Sequence, residues 1–590
     1  MVNDPDQPDA WHLWGVVAYQ QGDHAAALER IAKAISFRPN EARYHSNRAL
    51  VLHSIGRLSD AETSLHQALE LDPRNAANLF KLGNVLIATK QIPSAIDAFR
   101  DALELDARNP HIANNLAVAL RETNRFDEAR DTYQLLIDID RHNAEPYAGL
   151  AIVTHRLGHL DEAITAYEKA LSLGNQDVTN SLLAPYGHAL LDSGNASQSL
   201  AIFKQMSSTP HCQVDELCRA ALTLYYRGYL DLAIQLLKYR AQQQSDSNTV
   251  SAMLAYLMAV QAPTEANCRR IESILVEPDL SRDVSRSLHL GLARLYDQRD
   301  YHTEAFDHAK IGNQLADVAY DREAQQQFVT DSMEVFDRTH LQTLPRAEVE
   351  SDLLIFLVSM PESGSNLIKE VLTSYPGVRS GSNFANLQQV ALSLQDTLGS
   401  INPYPHCVRD LSATTATQLA QEYLTRVGGP ARDAERIVDD SLNNYLYLGL
   451  ISGLFPNARV IRCIRDPLDC GLFTYFRDFD QDGLTYSASL ANIGSELAQY
   501  QRLMKHWGIT LGLNTLNISY EELLHDFETI SQEIVSFCGL KWDKTCLERP
   551  NHQNSLSLAQ ELDRCRREVG RAKLYSGELA PLRSALESDL

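Results

Sequence analysis

Residues 353–366, LLIFLVSMPESGSN, form the stretch of this chain best suited to binding an anion. The apolar residues Leu353–Val358 predict a buried strand, and small residues then form a turn ahead of a helical pattern. A strand–turn–helix unit directs free backbone N–H groups towards an anionic group. The candidate anion-binding residues are Ser363, Gly364, Ser365 and Asn366. The same residues are also consistent with a simple cap on the following helix.

Glu362 lies inside this turn, where an anion-binding turn would carry Arg or Lys. A carboxylate about 4 Å from an anion repels it by roughly 1 to 4 kcal/mol, depending on the local dielectric constant. The residue at this position therefore largely decides whether the turn can hold a strongly anionic ligand.

The composition is typical of a multidomain globular protein. With 590 residues the chain is too long for one hydrophobic core, and its apolar content of 44% and charged content of 22% are ordinary. A net charge of −23 and a pI near 5.3 argue against general binding of nucleic acid or of anionic membranes.

Cysteine usage and hydropathy limit the possible classes further. The nine cysteines are scattered without a C-x-x-C pair, so neither a zinc site nor a disulfide framework is expected. Reduced thiols fit a cytoplasmic location. The polar N-terminus lacks a basic region followed by an apolar stretch, so no signal peptide is expected. No apolar run is long enough to predict a membrane span.

The N-terminal half repeats itself every 34 residues. Small residues recur at this interval, at Ala27, Ala61, Ala95, Ala129 and Ala163. Larger residues keep the same interval, at Ile31, Leu65, Phe99, Tyr133 and Tyr167. The small residues let two helices cross closely, and the larger residues fill the space between neighbouring units. The pattern resembles the tetratricopeptide repeat and, with weaker copies after it, predicts an all-α, right-handed solenoid over residues 8–340.

The concave face of such a solenoid is expected to hold a protein or peptide partner, the alternative being a rigid spacer. Candidate groove residues lie on the first helix of each unit, and several are Asn, which suits hydrogen bonding to an extended backbone. They are Asn47, Lys81, Asn84, Asn114, Asn115 and Arg121. Each of them is also consistent with a solvated helix surface.

From about residue 350 short apolar strands alternate with helical stretches, which predicts a P-loop-like α/β domain with a mostly parallel sheet over residues 350–588. The strands are expected at Leu353–Val358, Arg436–Val438, Arg459–Ile464 and Thr515–Ser519. Ligands of such sheets bind at the carboxyl ends of the strands, which is where the turn containing Glu362 begins.

Three segments resemble the sulfotransferase family, in particular its bacterial branch that joins tetratricopeptide repeats to the transferase. They are FLVSMPESGSNLIKEVLTSYPGV at 356–378, FPNARVIRCIRDPLDCGLFTYF at 455–476 and ISYEELLHDFETISQEIVSFCGLKWD at 518–543. The resemblance implies transfer of a sulfuryl group from 3′-phosphoadenosine 5′-phosphosulfate (PAPS) to a hydroxyl or amine. This donor carries roughly four negative charges and needs cations and oriented N–H groups, while a general base takes the acceptor proton.

The resemblance also implies where this chain departs from the family's donor site. Glu362 replaces an Arg, Asp440 replaces a Lys, and Phe473 stands where the family has a Ser that binds the 3′-phosphate. Asn383 aligns with a catalytic Glu and cannot act as a base, which leaves Asp439 as a weak candidate base.

Some cationic character is kept at positions that the resemblance links to the nucleotide. Arg465 precedes Asp-Pro as in the family and is expected to bind the 3′-phosphate, or else to be a structural partner of an acid. Near the C-terminus Gly570, Arg571 and Lys573 match a basic loop that closes over the nucleotide, although a solvated basic surface is also consistent.

Because cations have become acids, we favour a non-catalytic or altered-ligand sulfotransferase homologue whose repeats bind a protein or peptide partner. The alternative is an active PAPS-dependent sulfotransferase that modifies a peptide or protein hydroxyl held by the repeats. PAPS or its product 3′-phosphoadenosine 5′-phosphate (PAP) is expected only if the donor site functions. No metal, no membrane and no nucleic acid beyond such a nucleotide are expected.

Overall fold

The computed structural model describes residues 7–209, 212–243, 248–276, 280–349, 351–381, 387–428, 434–479, 484–547 and 558–589. The chain divides into two compact units. The first comprises Met1–Leu157 and Asp161–Leu182, and the second comprises Gly158–Leu160 and Leu183–Leu590. This division falls inside the repeats, whereas the domain limits drawn from the sequence, 8–340 and 350–588, stay a prediction.

The first unit is a stack of helix pairs. Its helices are α1 (Pro8–Gln20), α2 (His24–Phe37), α3 (Ala42–Ser54), α4 (Leu58–Leu71), α5 (Ala76–Ala88), α6 (Ile92–Leu105), α7 (Pro110–Glu122), α8 (Phe126–Ile139), α9 (Ala144–Arg156) and α10 (Leu160–Leu173). In the pairs from α1 to α8 the two helices pack on one another, and the second of them packs on the first helix of the next pair. Each repeat therefore buries its apolar faces against its neighbours.

The 34-residue pattern of the sequence is the packing pattern of these helices. At Gly83 a Cβ atom would lie 2.4 Å from Cε1 of Phe99, so a larger residue here would require the Phe99 ring to shift. Phe99 itself is fully buried. Asn75 caps α5 by accepting a hydrogen bond from the backbone N–H of Asn78, which satisfies a group that the helix leaves unpaired.

Helix pairs continue into the second unit. Its first helices are α11 (Gln176–Asp192), α12 (Ala196–Ser207), α13 (Val214–Tyr226), α14 (Leu230–Gln243), α15 (Asn248–Gln261), α16 (Glu265–Leu275), α17 (Arg282–Asp297), α18 (His302–Gln314), α19 (Arg322–Val335) and α20 (Arg338–Thr343).

The last of these helices pack directly on the α/β part of the second unit. Asn313 of α18 donates a hydrogen bond to the carbonyl oxygen of Tyr475 over 2.8 Å. The guanidinium group of Arg322 in α19 lies 2.6 Å from the carboxylate of Asp589. The end of the solenoid thus belongs to the same packed body as the domain that carries the predicted donor loop.

The α/β part contains a five-stranded sheet whose neighbouring strands are all parallel, which confirms the predicted fold class. The strands are β1 (Leu354–Val358), β2 (Val378–Ser380), β3 (Arg436–Asp439), β4 (Arg459–Ile464) and β5 (Asn514–Ser519), in the spatial order β2-β3-β1-β4-β5. Strand β2 was missed from the sequence because three residues, VRS, show no hydrophobic pattern. The chain order reverses beside β1, and such a switch point is where ligands bind in open parallel sheets.

Helices cover both faces of this sheet. They are α21 (Ser365–Thr373), α22 (Leu387–Leu398), α23 (Ala413–Gly428), α24 (Leu448–Leu454), α25 (Pro467–Tyr475), α26 (Leu490–Thr510), α27 (Tyr520–His525), α28 (Phe527–Phe537), α29 (Leu558–Glu568) and α30 (Ala580–Ser588). Within the parts of the chain that the structure describes, no helix is both long and apolar enough to cross a bilayer. Over those same parts no cluster of His, Cys, Asp or Glu is arranged to bind a metal ion.

Candidate functional site

The β1–α21 loop, residues 359–364, has the shape predicted for an anion-binding turn. It ends at Gly364, whose φ of 93° favours glycine. A Cβ atom at Gly364 would also lie 2.1 Å from Cδ2 of Tyr520, so the ring of that tyrosine covers the loop closely. Ser365 and Asn366 open α21, where backbone N–H groups have no acceptor within the helix. Ser363 is buried, and its hydroxyl lies 3.3 Å from the thiol of Cys470.

The carboxylate of Glu362 points into the domain and is bound there. Its side chain is only 14% exposed, and Oε1 lies 2.5 Å from Nη1 of Arg477, just after α25. Burial alone would raise the pKa of this carboxyl. The guanidinium groups of Arg477, Arg294 and Arg465 more than offset burial, so the pKa of Glu362 lies below its ordinary value. Glu362 is therefore an ionised group enclosed by cations.

Arg465 lies beside the same loop, but protein groups already occupy much of its side chain. It donates hydrogen bonds to the carbonyl oxygens of Glu362, over 2.7 Å, and of Glu568, over 3.2 Å. Its guanidinium lies 4.9 Å from the ring centroid of Phe473 and 4.6 Å from that of Tyr520. Its Nε is buried and has no partner among the described residues. Phe473, which replaces the family's Ser, thus packs on the arginine that the Ser would assist.

The acids after β3 have internal partners. Asp439 is fully buried, and its carboxylate accepts hydrogen bonds from Tyr423, from the N–H of Ser441 over 2.9 Å and from Nδ2 of Asn444 over 3.0 Å. The structure therefore places the candidate base in a satisfied, enclosed position.

Asp440, which stands where the family has Lys, pairs with a cation from another element. Its Oδ2 lies 2.7 Å from Nζ of Lys369 in α21. Asn383, which the alignment placed at the family's catalytic Glu, lies outside the described residues.

The predicted basic loop near the C-terminus contacts the solenoid. Arg571 donates through Nε to Asp297 at the end of α17, at 2.9 and 3.0 Å, and also pairs with Asp300 at 3.0 Å. The N–H of Gly570 donates to the carboxylate of Asp469 over 2.6 Å. Lys573 is exposed. The structure thus brings Gly570 near α25 but directs Arg571 to an acid of the repeats.

Sequence reasoning missed four residues that decide the charge of the site, namely Arg294, Arg477, Arg564 and Glu568. Burial is the largest influence on Glu568 and raises the pKa of its carboxyl, while Arg564 and Arg294 lower it by less. The only sequence signal was that Arg477 follows the second family segment directly. Arg294 lies in a weak repeat whose pattern gives no hint of this role.

The strand–turn–helix geometry of the loop and its position at the switch point of the sheet agree with a match to a known protein family. The segments on either side of the loop agree with the same match. Residues 355–544 match the sulfotransferase family. Residues 12–76, 54–110, 80–146 and 144–176 match the tetratricopeptide repeat. The C-terminal domain is a sulfotransferase-family domain, joined to tetratricopeptide repeats.

Similar proteins cover this chain only in part. An uncharacterized protein of Aquifex aeolicus (strain VF5) is 25% identical over 293 residues, which are 48% of this chain and 38% of that protein. Small glutamine-rich tetratricopeptide repeat-containing protein 2 of Mycosarcoma maydis is 33% identical over 82 residues, 14% of this chain and 23% of that protein. The chain thus spans less than half the length of these curated relatives.

Solved structures of repeat proteins are similar to shorter parts of the chain. MamA is 23% identical, covers 28% of this chain over 90% of its own length and has a TM-score of 0.27. YrrB, described as a tetratricopeptide repeat protein with an unusual peptide-binding site, is 22% identical and covers 36% of this chain over its whole length, with a TM-score of 0.29.

The candidate groove residues of the repeats form hydrogen bonds between the first helices of neighbouring units. The amide of Asn47 lies 2.8 Å from Nε2 of His12, and Nζ of Lys81 donates to Oγ of Ser46 over 2.7 Å. Burial lowers the pKa of Lys81.

The next pair of repeats continues the same arrangement. Nδ2 of Asn115 donates to Oδ1 of Asn84 over 2.7 Å, while Asn114 and Arg121 are half-buried on α7. These polar side chains therefore share one face of consecutive repeats.

Proposed function

We propose that this protein is a non-catalytic sulfotransferase homologue in which the repeats bind a protein or peptide partner and the sulfotransferase domain acts as a scaffold. The observation that carries this proposal is the ion pair, at 2.5 Å, between Glu362 in the β1–α21 loop and Arg477 after α25. The carboxylate supplies a negative charge where a sulfuryl donor would place its own.

Electrostatics supports this proposal because binding and transfer both depend on cations at the loop. In this domain Arg477 is paired with Glu362, and Arg465 donates to two backbone carbonyl groups. A donor with roughly four negative charges would have to displace these contacts and then approach the ionised carboxylate.

The position of Asp439 supports the same conclusion for the proton-transfer step. A general base must reach the acceptor hydroxyl with a free lone pair. Both oxygens of Asp439 already accept hydrogen bonds, from Tyr423 on one side and from Ser441 and Asn444 on the other. The carboxylate would have to leave this buried network before it could accept a proton.

The repeats retain hydrogen-bonding groups that suit an extended peptide. In the contact between Asn115 and Asn84, Oδ1 of Asn115 and Nδ2 of Asn84 have no partner among the described residues. One acceptor and one donor on neighbouring helices match the alternating N–H and C=O groups of a peptide backbone.

Calorimetric titration of the full chain with PAP tests the proposal. We expect no binding at millimolar nucleotide for the natural protein. Glu362→Gln removes one repelling charge and should raise PAP affinity about tenfold or more. Glu578→Gln, at an exposed acid of the same domain, is the matched control and should change nothing. Micromolar binding by the natural protein would overturn the proposal.

A second candidate function, PAPS-dependent transfer to a peptide hydroxyl, is favoured by the number of cations around the loop. The arginines are Arg294, Arg465, Arg477 and Arg564, and the acids are Glu362, Asp469, Glu561 and Glu568. Burial raises the pKa of Glu568, so its ionised form is less favoured than that of an exposed carboxylate. Release of labelled PAP from PAPS in the presence of a bound partner would support this candidate.

A further inference from the structure

A cavity of about 360 Å³ lies within the second unit, next to the β1–α21 loop. It is lined by α13 and α17 of the solenoid and by Arg477 and Asp478, which follow α25. We call it the solenoid-side cavity. Its volume is within the range of small-molecule sites, and its floor includes the apolar side chains of Leu222 and Val284. Arg477 lines the cavity and also pairs with Glu362 of the loop, but the cavity belongs mainly to the repeats.

The cavity presents cations with unused donors. Nη1 of Arg477 donates a hydrogen bond to Glu362, whereas its Nε and Nη2 have no acceptor among the described residues. Arg219 on α13 is exposed and likewise has no described partner. Guanidinium groups with several free N–H donors favour oxyanions that can accept two hydrogen bonds at once.

Arg294 adds positive charge behind the cavity wall. Its side chain makes no hydrogen bond or direct ion pair to a described residue, yet it lies within electrostatic range of Glu362 and of Tyr225. Together with Arg477 it also acts on Tyr226, which lines the cavity. Burial lowers the pKa of Arg294 less than the surrounding acids raise it, so this group is charged at every relevant pH.

An aromatic surface accompanies these cations. The side chain of Tyr226 is 39% exposed although its ring is large and mostly apolar. The guanidinium of Arg477 lies 6.0 Å from the centroid of this ring, and the ring of Tyr225 lies 5.0 Å away. A second aromatic ring that entered the cavity could pack on Tyr226 in an offset or edge-on arrangement.

The acids around the cavity limit which anion fits. Asp478 is neutralised by Arg286, at 2.5 Å, and accepts a hydrogen bond from Ser287. Asp215 and Asp283 lie in the first turns of α13 and α17 and have no described partner. Their charges oppose a polyanion, so the cavity suits one oxyanion group attached to an aromatic ring better than it suits a nucleotide.

We propose that the solenoid-side cavity binds an aromatic oxyanion, specifically a tyrosine side chain that carries a sulfate or phosphate ester, within a peptide held by the repeats. The ring packs on Tyr226, and the ester oxygens accept hydrogen bonds from Arg219 and Arg477. This inference rests on the peptide binding by the repeats proposed above, but it does not depend on whether the β1–α21 loop binds PAP. The sulfate and phosphate esters share the required chemistry, and the experiment distinguishes them.

Calorimetric titrations of the full chain test the site with four probes: N-acetyl-O-sulfotyrosine amide, N-acetyl-O-phosphotyrosine amide, N-acetyltyrosine amide and inorganic sulfate. We expect one of the two esters to bind at least about tenfold more tightly than tyrosine amide or sulfate, because only the esters supply both ring and oxyanion. The tighter of the two identifies the natural ester.

Single substitutions locate the binding. Arg219→Gln and Tyr226→Ala should each weaken binding of the preferred ester about fivefold or more, and Asp215→Asn should strengthen it. Arg270→Gln, at an exposed arginine of α16, is the matched control and should leave affinity unchanged. Arg219 is exposed, so its loss should not affect folding, which the thermal transition of each variant verifies.

Two results would overturn the proposal. Equal affinity for ester, tyrosine amide and sulfate would show that the cavity does not recognise an aromatic oxyanion. Ester binding that survives both Arg219→Gln and Tyr226→Ala would place the site elsewhere. PAP titration of the same samples reports on the loop separately, so failure of this site and failure of the proposed function can be told apart.

Discussion

Removing Arg477 should expose how strongly the β1–α21 loop depends on its internal ion pair. In Arg477→Gln the carboxylate of Glu362 stays buried but loses the guanidinium that lies 2.5 Å away. A buried charge without its partner cannot recover the hydration it gave up on folding, so the loop should become less stable.

The expected loss of stability depends on how exposed the Arg477 side chain is and on the cations that remain near Glu362. Breaking a fully buried pair costs about 3–5 kcal/mol. Here the Arg477 side chain is 29% exposed, and Arg294 and Arg465 still act on the carboxylate. We therefore expect about 2 kcal/mol for Arg477→Gln and about 1 kcal/mol for Glu362→Gln. The double variant should lose only about 1.5 kcal/mol, because the second substitution removes the charge that the first left unpaired.

Hydrogen exchange of backbone amides across β1 and α21 is the suitable assay. Because the chain contains two compact units, hydrogen exchange localises the effect to this loop, which a denaturation midpoint of the whole chain does not do. The coupling energy comes from the wild type, both single variants and the double variant. The exposed pair Arg567–Asp563, with side chains 76% and 59% exposed, is the control and should show coupling below about 0.5 kcal/mol.

The coupling should also depend on pH in a defined direction. The pKa of Glu362 is lowered in the folded protein, so the pair contributes stability that is fully present above the ordinary carboxyl value of 4.5. That contribution is lost as the pH falls through the lower folded value. Strictly additive effects at pH 7, or a coupling energy no larger than that of the control pair, would refute the reasoning.

Three further substitutions test packing and burial in the α/β domain. Gly364→Ala should destabilise the domain by at least about 2 kcal/mol, because φ is positive and the new Cβ would lie 2.1 Å from the Tyr520 ring. Gly508→Ala, in α26 with nothing near its Cβ, should instead stabilise by about 0.5–1 kcal/mol, as chemical denaturation can show. Glu496 is buried, and burial raises the pKa of its carboxyl despite hydrogen bonds that lower it. Ionisation of Glu496 therefore lowers the stability of the folded protein once the pH exceeds the pKa of this glutamate in the unfolded chain. Glu496→Gln should raise the melting temperature at pH 8, with a gain that disappears near pH 4. An unchanged melting temperature at pH 8 would contradict this account.

Local patterns explain why the architecture could be predicted. The interval between Ala27 and Ala61 reflects contacts within one repeat and with its neighbour, so the information lies within a short stretch of chain. The strand and turn before α21 are equally local, and all predicted strands of the sheet are present. Strand β2 was not predicted because its three residues form a strand through pairing with β3, and their composition gives no strand signal.

The partners of charged residues could not be predicted in the same way. Asp440 seemed to be a lost cation, yet Lys369 in a different element pairs with it at 2.7 Å. Arg571 seemed to belong to a nucleotide clamp, yet it binds Asp297, which lies 274 residues earlier. Only folding brings such groups together, and neither helical periodicity nor a local motif reports on a charge so distant in sequence.

The sequence by itself determined that this protein has a repeat solenoid followed by a parallel α/β domain, and that the turn after the first strand of the sheet carries an acid. Tertiary structure alone decided what that acid does, because Arg477 lies 115 residues beyond Glu362 and Arg294 comes from the solenoid. The energy of a buried charge depends on its distance to other charges and on its access to water. Both quantities exist only once the chain has folded.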